Sequence, residues 1–384
     1  MAQLNHPQAV FVSNGEIYIA DTNNHRVRKV LRNGQIVTIC GTGIAGYNGD
    51  GQLATEAQLH SPRYVVVSSS DQVYISDMHN HRIRKIDQRG MISTIAGTGV
   101  NGYNGDGQLA INAQLFSPYE LFVTEDEEVL IADCSNNRVR KIDRNGMIST
   151  IAGTGKAQYN GNNRLATTAS LHSPASVFQY KHEIYITEMF GYRIRKINQQ
   201  GIISTIVGNG NQGYGEDGIL ATKAILFYPY SIFVCNDQVF ISDFCRVRKI
   251  LPNGIIKTVA GTGQIGRNRE ILTTNLSRRF TGGDMLATQC KLHLPRGIFI
   301  DSDSQVLTFA DTIDHTISKI DQNGMMRRVV GTGERGFAGD VPFDFVIYPH
   351  IGPLRKKPLI KPFPHALYDL VVICETITNS SQQI

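Results

Sequence analysis

The stretch VYISDMHNHRIRKI, residues 73–86, decides the fold, because the chain writes it six times with small changes. It occurs as IYIADTNNHRVRKV at 17–30, VLIADCSNNRVRKI at 129–142 and IYITEMFGYRIRKI at 184–197. The last two copies are VFISDFCRVRKI at 239–250 and VLTFADTIDHTISKI at 306–320. The anchoring acids Asp21, Asp77, Asp133, Glu188, Asp243 and Asp311 lie 56, 56, 55, 55 and 68 residues apart. Self-similarity at such a period marks a repeat architecture. A repeat array adds one small core per unit, so 384 residues can form one array instead of several independent domains.

Outward from 73–86, each copy divides into four short β-rich runs separated by turn residues. In the second copy the runs are 64–67, 72–77, 82–86 and 92–96, split by Ser68-Ser-Ser-Asp71, His79-Asn80 and Arg89-Gly90. None is long enough for a helix or has a 3.6-residue period. Their apolar residues do not simply alternate, as expected of strands covered on both faces by neighbouring units. The expectation is an all-β chain, a six-bladed β-propeller of four-stranded antiparallel blades around a central channel. An extended solenoid is the alternative, but its repeats are usually shorter and its ends need caps. The propeller is expected over residues 1–340, with an insertion near 267–280 that accounts for the long last interval. Residues 341–384 read as an irregular tail with a degenerate partial repeat at 367–379. Between blades runs a glycine-rich linker such as Gly97-Thr-Gly99 followed by Gly102-Tyr-Asn-Gly-Asp-Gly107, where positive φ lets the chain cross to the next blade.

The pattern Asp-x-x-Asn-x-Arg-(Val/Ile)-Arg-Lys after an Ile-x-Ile strand, preceded by Leu-x-x-Pro leading into a Val-Phe-Val strand, resembles the NHL repeat family. The linker Ala-Gly-Thr-Gly-x-x-Gly-Tyr-x-Gly-Asp-Gly is similar to that of teneurin-type NHL propellers and of large protist expansions of the repeat. The resemblance covers about residues 1–340 and implies a binding platform that recognises protein or RNA. One branch of the family resembles copper-and-zinc-linked peptide-amidation lyases, but no motif here matches theirs residue by residue. The chain departs from the pattern at Glu188 and Gly191-Tyr192, at the two residues missing before Arg246, at Thr316 and Ser318, and at the insertion. Ala2-Gln-Leu-Asn-His-Pro7 matches Ala57-Gln-Leu-His-Ser-Pro62, so the sequence begins inside a linker and is expected to be a piece of a longer protein.

The net charge of +5, from 38 basic and 33 acidic residues, is too mild for a polycation, and many basic residues recur at fixed repeat positions. No apolar run approaches the roughly 20 residues of a membrane helix. The six cysteines form no repeating framework and are expected reduced. Cys235 with Cys245 is the pair a disulfide would join first, and Cys40 stands where Ala96 and Ala152 do, as a small buried side chain. Irregular cysteines and the absence of a basic-then-apolar stretch at Met1 favour the cytoplasm, with an extracellular setting open if the chain is a fragment. The short sequons at Asn275 and Asn379 carry little weight.

The repeated acids and arginines read as structural, an ion pair or turn hydrogen bond fixing each strand corner. Asn48, Asp50, Asn104, Asp106 and Asp217 offer oxygens in the linkers. Each linker supplies only two or three of the six to eight that calcium takes, and Asx turns explain them. Two residues before the linker proline stand Asn5, His60, Phe116, His172, Phe227 and His293. His60, His172 and His293, in alternate blades, are weak zinc candidates, since a propeller mouth is too wide for ligation at about 2 Å. The residues just after the proline differ between copies: Gln8, Arg63, Tyr119, Ala175, Tyr230, Arg296, then Ala9, Tyr64, Glu120, Ser176, Ser231, Gly297. They should surround one mouth of the channel. Arg63, Tyr64, Tyr119, Glu120, Tyr230 and Arg296 are therefore the ligand-binding candidates, with ordinary surface drift as the competing reading. No nucleophile elbow or phosphate loop is present. The expected function is a non-enzymatic binding or scaffold propeller without a cofactor, a protein partner being favoured over RNA, and a metal-dependent lyase-like enzyme on the same fold is the rival.

Overall fold

The computed structural model describes residues 2–264 and 285–340. The insertion, the tail with its partial repeat, Cys374 and both sequons lie outside the described residues. Six separate antiparallel sheets form, each from one contiguous repeat. In the second blade the strands are Pro62–Val67, Val73–Asp77, Arg82–Ile86 and Met91–Ala96, joined in sequence order. Four of the sheets add a two-residue fifth strand from the preceding linker, as where Gln52–Leu53 pairs with Ile92 and Met91. A 3-10 turn fills the corner after the acid in the first three blades, Met78–Asn80 in this one. Elements this short have no periodicity to read, and sequence reasoning missed both.

The first strands of the blades touch one another in order, and that of the sixth, Pro295–Ile300, touches that of the first, Pro7–Ser13. They therefore surround the axis, as expected. Blades bury apolar side chains against each other: Val65, Ile75, Ile83 and Ala96 share a core with Ala9, Val27 and Cys40 of the blade before. This sandwiching is why Ile-Tyr-Ile and Val-Tyr-Ile strands are apolar on both faces. Ala9 and Gly297 bring the first and sixth inner strands close together: a Cβ on Gly297 would lie 2.5 Å from Ala9 Cα.

Among the described residues, linkers clamp the blade that follows them, as the one before the second blade does. Gly46 donates its N–H to Leu59 O at 3.2 Å, and Asn80 Nδ2 donates to Gly46 O at 2.6 Å. The linker after the sixth blade does the same to the first: Gly336 N–H reaches Leu4 O at 3.1 Å, and Asn24 Nδ2 reaches Gly336 O at 2.7 Å. Glycine is required where linkers pass the corners. Gly97 sits at φ +93°, and a Cβ there would meet His81 O at 2.1 Å.

Candidate functional site

The corner signature is a closed network. Asp77 Oδ1 accepts the His60 N–H at 2.7 Å, and Oδ2 accepts Asn80 Nδ2 at 2.8 Å. Arg84, fully buried, lies 3.4 Å from Asp77 and 2.8 Å from the linker's Asp50. The linker's Tyr47 ring is covered by Arg82 at 3.8 Å and Arg84 at 4.8 Å. Burial pushes the Asp77 carboxyl up to about 6, against the opposing pull of Asn80, the His60 N–H and Arg84. Asp50, Asp106 and Asp217 each pair with a buried signature arginine, at 2.8, 2.8 and 2.9 Å. Asn48 and Asn104 bond back to their own linkers. That is the use of the linker oxygens weighed above for calcium.

Departures from the signature come with matching compensations. In blade four Glu188 is one methylene longer and reaches Arg195 at 2.8 Å. A Cβ on Gly191 would lie 2.6 Å from the Glu188 carboxylate, so the long acid requires glycine where other blades carry asparagine. In blade five Arg246 takes over the asparagine's bonds, to Asp243 Oδ2 at 2.9 Å and Gly215 O at 2.8 Å. In blade six, with Thr316 and Ser318 at the arginine positions, Arg328 of the outermost strand donates to Thr332 O at 2.9 Å. Arg82 makes the same contact to Thr98 O, at 2.7 Å.

The channel candidates do converge, but deep inside instead of around an open rim. Arg63, Tyr64, Tyr119, Glu120 and Arg296 are all buried, and only Tyr230 is half-exposed. Small residues meet this layer: Ser176 and Ser231 of the next two blades both hydrogen-bond Glu120. Glu120 crosses the axis to accept the Ser231 hydroxyl at 3.2 Å. The Arg63 guanidinium lies 3.6 Å over Tyr119 and that of Arg296 lies 4.1 Å over Tyr230. Arg296 also donates to Gln8 Oε1. Burial raises the Glu120 carboxyl to about 8, opposed by Ser176, Ser231, Arg63 and Arg296.

Below this polar layer, further along the same strands, lies an aromatic annulus. Phe122, Phe178, Phe233, Phe299 and Phe11 follow one another around the ring with centroids 4.9, 4.7, 5.2 and 5.1 Å apart. The sixth position is Val66. The signal was in plain sight as the phenylalanine four residues after the linker proline in five of the six copies, yet only the ring shows that the five meet.

A second feature that sequence reading missed lies on the face where the channel strands begin. Tyr214 stacks on Phe227 at 5.0 Å and 15°, and Phe227 meets Tyr228 and Phe244 at 4.8 and 4.6 Å. Phe190 and Tyr192 join Tyr228 at 5.5 and 5.7 Å. Tyr214 is 41% exposed, and Tyr230 packs at the cluster's edge. The patch sits where blades four and five leave the consensus.

The three candidate histidines do not share a site. His60 packs against His25 and His79, His172 against Phe190, and His293 lies 2.6 Å from Asp314. Among the described residues no group of three His, Cys, Asp or Glu could hold a metal. Other histidines are structural: His25, His81 and His315 accept backbone N–H groups of the next blade, from Ser61, Ser117 and His6, at 3.1, 3.2 and 3.0 Å. Cys235 and Cys245 are free and buried, so the first-choice disulfide does not form; each belongs to a different apolar cluster.

Six blades of four main strands each, closed around a channel, make this a β-propeller. The NHL repeat family model matches residues 4–30 and the teneurin NHL domain model matches residues 40–104. The chain is a six-bladed β-propeller that carries NHL-type repeats where these models match. It is 24% identical over 345 residues to NHL repeat-containing protein 2 of Gallus gallus, covering 80% of this chain and 45% of that protein. It is 28% identical over 365 residues to teneurin-4 of Mus musculus, covering 82% of this chain and 12% of that protein. The chain thus spans less than half the length of either relative. The crystal structure of an auxiliary nutrient binding protein from Bacteroides thetaiotaomicron superposes with a TM-score of 0.57 at 13% identity, covering 85% and 70% of the two chains. That likeness is one of fold.

Proposed function

We propose that this propeller is a non-enzymatic recognition domain that docks a protein partner on the face carrying the blade four and five aromatic patch. The observation that carries the reading is the cluster of Tyr214, Phe227, Tyr228 and Phe244, partly open to solvent beside Tyr230. Rings already packed on one another bind with little further loss of freedom, and aromatic residues dominate protein interfaces. NHL propellers generally mediate protein interactions, which agrees with this use. The signature arginines Arg28, Arg84, Arg140, Arg195 and Arg248 are fully buried, which removes them from any RNA-binding surface. The signature acids are held in corner bonds, which supports structure over catalysis. Buried free thiols at five positions fit a reducing compartment, and a cytoplasmic setting is part of the proposal.

A photo-crosslinking residue placed at Tyr214 should capture a protein, whereas one at Gln88, on the opposite face, should not. Y214S/Y228S should weaken binding of the captured protein at least tenfold while leaving the melting temperature within about 2 °C. Equal capture at both positions, or salt-sensitive retention of RNA instead of protein, would overturn the reading.

A further inference from the structure

We propose that the polar layer of the channel is a binding site for a carboxylate group, held between Arg63 and Arg296. Both side chains are buried, at 6% and 4% exposure, and each guanidinium lies against a tyrosine ring that does not neutralise it. They are close enough for their charges to repel. The one carboxylate beside them, Glu120, bonds to Ser231 and Ser176, and among the described residues no salt bridge joins it to either arginine. Arg296 Nε is buried with no hydrogen-bond partner. The signature arginines also leave Nε unbonded, but most lie beside two carboxylates, as Arg84 does with Asp77 and Asp50. Arg296 has only neutral oxygens, those of Gln8 and Tyr230.

Two buried guanidiniums without a bonded anion are an incomplete site, since buried charges are normally paired. A carboxylate presents two oxygens in a plane, the acceptor that matches guanidinium N–H geometry. The group enters from the side of half-exposed Tyr230, the end away from the phenylalanine annulus. It could be a small free acid or an Asp, Glu or C-terminal carboxylate inserted by a docked chain. The site does not depend on the aromatic patch being a docking surface.

The groups facing Glu120 are Arg63, Arg296, Tyr64, Ser176 and Ser231. With its carboxyl raised to about 8, Glu120 is largely neutral at pH 7 and leaves both arginines to the ligand. Above that value it competes for them.

The test uses the full chain at constant ionic strength and pH 7. Sodium acetate, and separately a tripeptide with a free C-terminus, are titrated against sodium chloride and the C-terminally amidated tripeptide. A saturable rise in melting temperature with acetate supports the site and assigns it to a free acid. A rise with the free-terminus peptide alone supports the site and assigns it to an inserted chain. Binding should fall at least tenfold between pH 7 and pH 9, and Glu120→Gln, which keeps the serine bonds, should abolish that fall. R63Q/R296Q should lose binding. No response to either carboxylate beyond its control, or a pH dependence unchanged in Glu120→Gln, would overturn the proposal. Neither readout requires the double arginine variant to fold.

Discussion

Glu120 moves from an ordinary 4.5 to about 8 because it is buried among small side chains in the channel. Between those values the folded protein keeps a proton that the unfolded chain releases. Its contribution is therefore fully present at low pH and is lost as pH rises toward 8. Glu120→Gln should flatten the decline of melting temperature between pH 5 and pH 8 and leave the variant the more stable of the two at pH 9. An equally steep decline in the variant would show that the charge is elsewhere. At the same scale, sequence variation singled out positions after each proline that the structure brings together, but misplaced their side chains. Arg63 and Tyr119 were expected at an open mouth because they stand where the strand nearest the channel begins. Their burial goes with their stacking on each other in the channel, which depends on two blades meeting.

The corner is the element on which each blade turns, and its network can be taken apart stepwise. Asp77→Ala leaves the His60 N–H and Asn80 without their acceptor and Arg84 without its inner partner, and should cost about 3–5 kcal/mol in urea unfolding. A cost below about 1 kcal/mol would mean that Asp50 and Tyr47 hold Arg84 by themselves. Blade four offers a cleaner test of coupling. Gly191→Asn alone should destabilise by overpacking against Glu188, on the order of 1–3 kcal/mol. Adding Glu188→Asp restores the pairing of the other blades and should recover most of that loss. Additive losses in the double-mutant cycle would sink the idea that the two departures compensate each other. The acid and its arginine were legible as a structural pair. The tyrosine in contact with two arginines was not, because Tyr47 lies more than thirty residues from Arg82, in the linker that precedes its blade.

At the scale of the ring, closure rests on the linker after the sixth blade. Ending the chain at Val330 removes the partners of Leu4, Asn24 and Arg28, namely Gly336 and Asp340. Calorimetry of that shorter chain should show a lower melting temperature, with about 3 kcal/mol lost at the Arg28 site. An unchanged transition would show that the inner strands and blade cores close the ring without it. By itself the sequence determined six blades, the four strands in each and the inner position of the first strand, because those follow from a period written six times. Tertiary structure alone decided how the copies differ in use: which side chains fill the channel, where five phenylalanines meet, and how blade five's lost residues open an aromatic face. These depend on contacts between residues one or more repeats apart. A linear period carries the shape of each unit, and the closing of the ring determines what the units present to one another.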